Sequence, residues 1–310
     1  MNKDFLDIAD FSREELQSML DCAISIKKEF FEKGSLKPVL KGKVMAMIFQ
    51  KPSLRTRVSF DMGMKHLGGD ALYLSPAEIG LGTRESVPDI ARVLDGYVDI
   101  IMARVFAHDD VVQLAKYTTI PVINGLSDYS HPCQAMTDAM TIIEHYGRME
   151  GLNVAYVGDG NNMAVSVMDI CAKLGANFTA ATPDGYNLPE KTIEVGRKFA
   201  RESGSTLKFT SDPAEAVQNA DVIYTDTWIS MGQESETEQR LLTFPPYQVN
   251  AELVSKAKPS VIVMHCLPAH RGWELTDDVA DGPHSVIFPQ AHNRLHAQIG
   301  IIYKLMVKEN

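Results

Sequence analysis

Short apolar runs separated by longer amphipathic stretches constrain this chain more than any other feature. Val44–Phe49 reads VMAMIF, with no polar side chain in it. A strand with one wet face alternates apolar and polar residues, whereas a strand covered on both faces reads as a continuous apolar run. This run ends at Lys51-Pro52-Ser53, where a helix over 54–67 is expected to follow. Strand-like segments at 70–74, 99–105 and 121–126 alternate with helical ones at 86–97, 109–117 and 132–147. The second half repeats the logic, with strands expected at 152–157, 177–182, 221–226, 260–266 and 285–288, and helices notably at 162–174 and 190–203. Strand and helix in turn specify an α/β fold of parallel sheets with helices on both faces.

The ends of the chain are helical. Ser12 and Glu15 have the spacing of a capping box, and Leu16, Leu20 and Ile24 follow at helical intervals. The stretch 291–309 places Leu295, Ile299, Ile302 and Met306 on one face and is expected to pack back on the first domain. Segment 230–248 is charged, contains Gly232 and Pro245-Pro246, and has no period. It is expected to be a long mobile loop of the kind that serves as a lid.

At about 150 residues per domain, 310 residues point to two domains or to one large one. No apolar stretch approaches the ~18 residues of a membrane helix. The acidic start MNKDFLDIADF does not read as a secretory or transit signal. The 4 cysteines lack the regular spacing of a disulfide framework, so a reducing, cytoplasmic setting is expected. A net charge of −10 disfavours a nucleic-acid binder, whose affinity comes largely from lysine and arginine on phosphate. A small anion is still within reach of a few placed arginines.

In open parallel sheets ligands bind beyond the carboxyl ends of the strands. Ser53-Leu54-Arg55-Thr56-Arg57 stands at such a place. A helix start offers unpaired N–H groups and about half a positive charge, and phosphate binds there readily. Two hydroxyls and a guanidinium would add further bonds. A plain N-cap with solvated arginines would carry the same letters, and the Gly-rich spacing of a nucleotide P-loop is missing. His131, followed by Pro132 and Gln134, suits a donor to a developing oxyanion, or else a structural hydrogen bond.

His265-Cys266-x-x-x-His270 has no further ligands at zinc spacing, so no metal is expected. Cys266 reads as a substrate contact or a small buried residue. A Cys/His nucleophile pair is disfavoured because adjacent strand residues face opposite ways. Gly158-Asp159-Gly160 partly matches a dinucleotide fingerprint, and an acid, Asp184, follows. Its third glycine would fall at Met163, where a side chain crowds helix against strand. Asn161 and Asn162, at the helix start, are alternative contacts for a substrate carboxylate.

The segments FQKPSLRTR (49–57), HPCQ (131–134) and HCLPAHRG (265–272), together with Asp226 and Ser230-Met231-Gly232, resemble the aspartate/ornithine carbamoyltransferase family. The motifs occur in the family's order from the first helix to the last. The resemblance implies two doubly wound parallel-sheet domains joined by interdomain helices. Residues 1–146, with the C-terminal helix 291–310, would form the carbamoyl phosphate-binding domain, and 147–290 the ornithine-binding domain. It implies transfer of a carbamoyl group from carbamoyl phosphate to the δ-amine of L-ornithine, giving citrulline and phosphate, without cofactor or metal. It further implies a homotrimer or an assembly of trimers.

By matching motifs, Ser53, Leu54, Arg55, Thr56, Arg104, His131, Gln134 and Arg294 would bind carbamoyl phosphate. Leu54, where many members have threonine, would act through its backbone N–H. Asn162, Asp226, Ser230 and Met231 would bind ornithine, and Cys266 and Leu267 would touch both substrates. Arg104, His131 and Cys266 are the expected catalytic residues. One departure stands out: Gly80 falls where many members have a glutamine or histidine that reaches a neighbouring subunit.

In the implied mechanism Thr56, Arg104 and His131 donate to the tetrahedral oxyanion, and the helix start with Arg55 stabilises the departing phosphate. Asp226 orients the α-amino group, and Cys266 is a candidate proton acceptor. Carbamoyl phosphate binds first, the domains close, and the 230–248 segment closes over ornithine. Three other readings share this pattern: a transferase for another acceptor (aspartate, putrescine or acetylornithine), a nucleotide-dependent dehydrogenase on the same fold, and a non-catalytic regulatory relative.

Overall fold

The computed structural model describes residues 2–230 and 232–307. The chain divides into two compact units, residues 1–140 with 292–310, and residues 141–291. The dividing points fall inside the helices Pro132–Tyr146 and Ile287–Met306, so each of these helices continues from one unit into the other.

The first unit is built on a parallel sheet of β1 (Val44–Phe49), β2 (Asp70–Leu74), β3 (Ile100–Arg104) and β4 (Val122–Leu126), in the order β2-β1-β3-β4. The continuous apolar run of β1 is explained by its position inside the sheet. Ala46 and Ile48 join a core with Ile90, Ile101 and Ala103. Met45, Met47 and Phe49, which alternate with them, are also buried. The second unit holds β5 (Asn153–Val157), β6 (Asn177–Ala181), β7 (Leu207–Thr210), β8 (Val222–Thr225) and β9 (Ile262–His265). They form a parallel sheet in the order β7-β6-β5-β8-β9.

Both sheets turn back on themselves. From β1 the chain passes to β2 on one side, then returns to β3 and β4 on the other. From β5 it passes to β6 and β7, then returns to β8 and β9. Each reversal leaves a crevice at the carboxyl ends of two neighbouring strands, the place where open α/β sheets bind ligands.

Three expectations need correction. Residues 285–288 are not a strand. Ser285 makes an isolated bridge to Val263, and Ile287 already begins the last helix. Pro289 is tolerated there because N–H groups of a first helical turn have no intrahelical partner. Strand β7 was not expected. Its sequence LKFT is half polar because it lies at a sheet edge, where burial is incomplete. Segment 230–248 is not one long loop. It contains a 3-10 turn at Glu234–Glu236, the helix Thr237–Thr243 and a second 3-10 turn at Pro245–Tyr247.

Among the described residues no helix is long and apolar enough to cross a membrane. The first long helix, Arg13–Lys33, opens with the Ser12/Glu15 capping box and closes at Gly34 in the left-handed region. The last helix meets it through glycine: a Cβ on Gly300 would lie 2.7 Å from Ala23 Cβ and 3.0 Å from Met19 O. The expected outcome for Gly300→Val is a loss of about 1–3 kcal/mol from overpacking, read as a lowered midpoint in thermal unfolding.

Candidate active site

In the first unit, three elements converge on the crevice between β1 and β3. Ser53 caps the helix Leu54–His66, its Oγ accepting from Thr56 N at 3.3 Å. The Leu54 side chain is 75% exposed, which leaves its backbone N–H as its means of meeting a ligand. Arg104 ends β3 and is buried. The ladder slips between Ala103 and Arg104, pairing Arg104 with Leu126, and such irregularities re-aim a side chain. His131 follows β4, next to the start of the helix Pro132–Tyr146.

Arg294 returns to this crevice from the last helix. Its Nη2 donates to Thr56 Oγ1 at 3.0 Å and its Nη1 to Gln134 Oε1 at 2.7 Å. Gln134 in turn donates to Asp138 Oδ1 at 2.8 Å. Gln134 therefore orients an arginine, a role that its letter in the sequence did not disclose. His131 is buried, and burial holds its pKa well below the ordinary imidazole value, assisted by Arg294, Arg104 and Arg55. Its ring is a neutral donor in a pocket whose positive charge comes from guanidinium groups, which suits an anionic ligand that develops more charge during reaction.

In the second unit the crevice lies between β5 and β8. After β5, a Cβ on Gly160 would lie 2.4 Å from Asn187 C and from Leu188 N. That glycine is required by close passage of the 186–188 backbone, and Met163 is buried at the third fingerprint position. The partial dinucleotide motif is thus a packing feature. Asn161 caps the helix Asn162–Leu174 and donates to Asp226 Oδ2 at 2.9 Å. Asp226 Oδ1 accepts from Cys266 Sγ at 3.0 Å. Ser230 Oγ lies 3.5 Å from Asn161 Nδ2, and Asn162 is half-buried at the first helical position. Leu267 has φ 58°, and its N–H donates to His265 Nδ1 at 2.8 Å.

The structure therefore groups Ser53, Leu54, Arg55, Thr56, Arg104, His131, Gln134 and Arg294 in one unit, and Asn162, Asp226, Ser230, Cys266 and Leu267 in the other. Met231 lies outside the described residues. Gly80 has φ 54°, and a Cβ there would meet Arg84 Cβ at 2.7 Å, so the backbone itself requires glycine at the departure from the family pattern.

The donor atoms of Asp226, His265 and Cys266 lie within 4.8 Å of one another, the one metal-like grouping among the described residues. His265 Nδ1 already accepts the Leu267 N–H, and Nε2 faces Glu274 Oε1 at 3.2 Å. A cation there would have to displace one of these bonds.

Two residues escaped sequence reasoning. Gln50 accepts from Phe106 N at 2.7 Å and donates to Asp110 Oδ2 at 3.2 Å, tying the end of β1 to the segment that follows Arg104. Arg240 is buried in the 230–248 segment. It donates to Asp159 Oδ2 at 2.9 Å, Trp228 O at 2.7 Å and Glu236 Oε2 at 2.9 Å, and its guanidinium lies 4.8 Å from the Tyr186 ring centroid. Glu236 four residues before Arg240 was the sole local cue.

One unit thus carries a buried histidine among three arginines, and the other a hydrogen-bonded carboxylate–thiol pair. Residues 3–144 match the family model "Aspartate/ornithine carbamoyltransferase, carbamoyl-P binding domain", and residues 150–305 match "Aspartate/ornithine carbamoyltransferase, Asp/Orn binding domain". The chain belongs to the aspartate/ornithine carbamoyltransferase family. It is 55% identical over 304 residues to the ornithine carbamoyltransferase of Thermococcus kodakarensis, covering 98% of this chain and 96% of the relative. The ornithine carbamoyltransferase of Bacillus subtilis is 50% identical over 306 residues, covering 99% and 94%. The solved ornithine carbamoyltransferase of Pyrococcus furiosus superposes with a TM-score of 0.96 at 53% identity, covering 99% of this chain and 98% of that one.

The Asp159–Arg240 pair carries a pH signature. Burial pushes the Asp159 carboxyl up to about 6 against the opposing pull of Arg240, from an ordinary value of 3.8. The folded chain therefore binds this proton more readily than the unfolded chain. The contribution is fully present below pH 3.8 and is lost as the pH rises through about 6. The stability of the wild type relative to Asp159→Asn should fall by about 2 kcal/mol between pH 4 and 7, measured by urea unfolding at each pH. A flat difference would remove the burial argument.

Proposed function

We propose that the chain is an ornithine carbamoyltransferase, which moves the carbamoyl group of carbamoyl phosphate to the δ-amine of L-ornithine and releases L-citrulline and phosphate. The observation that carries this reading is the neutral His131 among Arg55, Arg104 and Arg294 at the first unit's switch point. The named relatives and their domain-wise match support it. Residues 1–146 with the C-terminal helix take carbamoyl phosphate, and residues 147–290 take ornithine.

Phosphate oxygens bind at the helix start, on the N–H groups after Ser53 and on Arg55. Arg104, His131 and the Thr56 hydroxyl donate to the carbonyl oxygen. Arg294 already donates to Thr56 Oγ1, which leaves the Thr56 O–H free to face the substrate. Asp226 and Asn162 bind the α-amino and α-carboxylate groups of ornithine, and Ser230 and Met231 complete the proposed set of ornithine contacts. The δ-amine attacks the carbonyl carbon with its lone pair, the C–O bond to phosphate breaks, and the amine loses one proton. A free alkylamine has a pKa of about 10.4, so exclusion of water assists the neutral form. Cys266 and Leu267 border both substrates; the Cys266 sulfur is a candidate for receiving the proton as its own S–H proton passes to Asp226 Oδ1, to which it is already hydrogen-bonded.

We further propose a homotrimer or an assembly of trimers. Leu54, Val58 and Met62 are exposed at four-residue intervals on one helix face, and Leu72 is exposed on edge strand β2. Such a stripe suits burial against a second copy of the chain. Cys22, Cys133, Cys171 and Cys266 form no disulfide among the described residues, which supports the reading of a reducing cytoplasm and a place in arginine metabolism.

The purified protein should form citrulline from carbamoyl phosphate and ornithine, and no product with aspartate, putrescine or acetylornithine. Arg104→Ala should lower kcat by about 10²–10³, the usual cost of one oxyanion donor. Near-normal turnover in that variant would sink the assignment.

A further inference from the structure

Asn161 has no role in the mechanism above, because its neighbour Asn162 takes the contact with the acceptor. Its side chain nevertheless joins several parts of the second unit. Oδ1 accepts from Met163 N at 2.9 Å, Ala164 N at 3.1 Å and the Tyr156 hydroxyl at 3.2 Å. Nδ2 donates to Asp226 Oδ2 at 2.9 Å and lies 3.5 Å from Ser230 Oγ. Backbone N–H groups can only donate, so the bonds from Met163 and Ala164 fix which end of the amide is oxygen. Burial raises the Tyr156 pKa well above its ordinary value, which keeps that hydroxyl a donor to the same oxygen. The amide nitrogen is thereby left facing Asp226.

The consequence falls on Asp226, which is buried. One of its oxygens is held by Asn161 and the other by Cys266 at 3.0 Å. Two donors on two oxygens set the rotation of the carboxylate, and binding sites depend on such support to hold a contacting group in place. We propose that Asn161 is a positioning residue for the acceptor: it ties the start of the helix Asn162–Leu174 to Asp226 and Ser230, so that both present to the substrate in one fixed arrangement. This rests on the ornithine carbamoyltransferase reading. It explains why two asparagines stand side by side at this helix start. The first orients the acceptor's partners, and the second meets the acceptor.

Steady-state kinetics of Asn161→Asp and Asn161→Ser test it. Aspartate and serine are both good N-caps, so the helix start survives in each. Neither supplies the donor to Asp226: aspartate has no N–H, and the serine side chain is one bond shorter. The KM for ornithine should rise about tenfold or more in both variants. The rise should be larger in Asn161→Asp, which sets a second carboxylate against Asp226. The KM for carbamoyl phosphate and the thermal midpoint should stay close to wild type. An unchanged ornithine KM in both variants would reduce Asn161 to a cap and overturn the proposal. Parallel rises in both KM values with a lowered melting temperature would also overturn it, as general disruption. Absence of citrulline formation by the wild type strikes the functional reading, and with it the proposal. Intact wild-type turnover with unmoved variants strikes the role of Asn161 alone.

Discussion

Arg294 donates from one guanidinium to Thr56 at 3.0 Å and Gln134 at 2.7 Å, joining residues up to 238 positions apart. The bond network fixes the last helix, the first-turn hydroxyl of Leu54–His66 and the helix Pro132–Tyr146 around one buried cation. Burying a charge is costly unless it is paired and fully hydrogen-bonded. Here the charge is kept beside two more guanidiniums, which is an arrangement suited to binding an anion. Burial, assisted by this positive charge, keeps His131 neutral. A neutral imidazole can donate to an oxyanion without having to be charged in a dry, already positive pocket.

The second unit has the opposite balance. Asp159, Asp226 and Glu274 are buried carboxylates, against Arg240 as the buried guanidinium of that region. Positive charge gathers where phosphate would bind and negative charge where an amino acid with two amines would bind. Each acid has a defined partner: Asp159 holds Arg240, Asp226 is held by Asn161 and Cys266, and Glu274 faces His265. The 230–248 segment depends on the first of these. A charged, proline-containing stretch becomes ordered structure because Arg240 turns inward.

The alternation of strands and helices was legible because the inner strands are covered on both faces and so show unbroken apolar runs. Edge strand β7, LKFT, lacked that signal. The run at 285–288 misled, since a short apolar run does not separate a strand from a buried helix start. Ser53, Arg104, His131, Asp226 and Cys266 were legible because polar residues at strand ends are conspicuous. Arg240 and Gln50 were hidden, and Asn161 was read as a substrate contact rather than a partner of Asp226, for a common reason. Their roles are contacts made far along the chain: Arg240 with Asp159, Gln50 with Phe106, Asn161 with Asp226. No local pattern marks such pairs. The glycine at position 80 likewise became intelligible only when its left-handed backbone and the nearby Arg84 were seen.

The protonation state of His131 is the most direct test of the three-arginine pocket. Nitrogen NMR of histidine-labelled protein, with His131 assigned by its loss in His131→Gln, would follow the ring as the pH is lowered. Shifts of a neutral imidazole that persist well below pH ~6.5 are expected from burial among guanidiniums. Protonation with a midpoint at or above that value would contradict the neutral donor, and with it the electrostatic basis of the site.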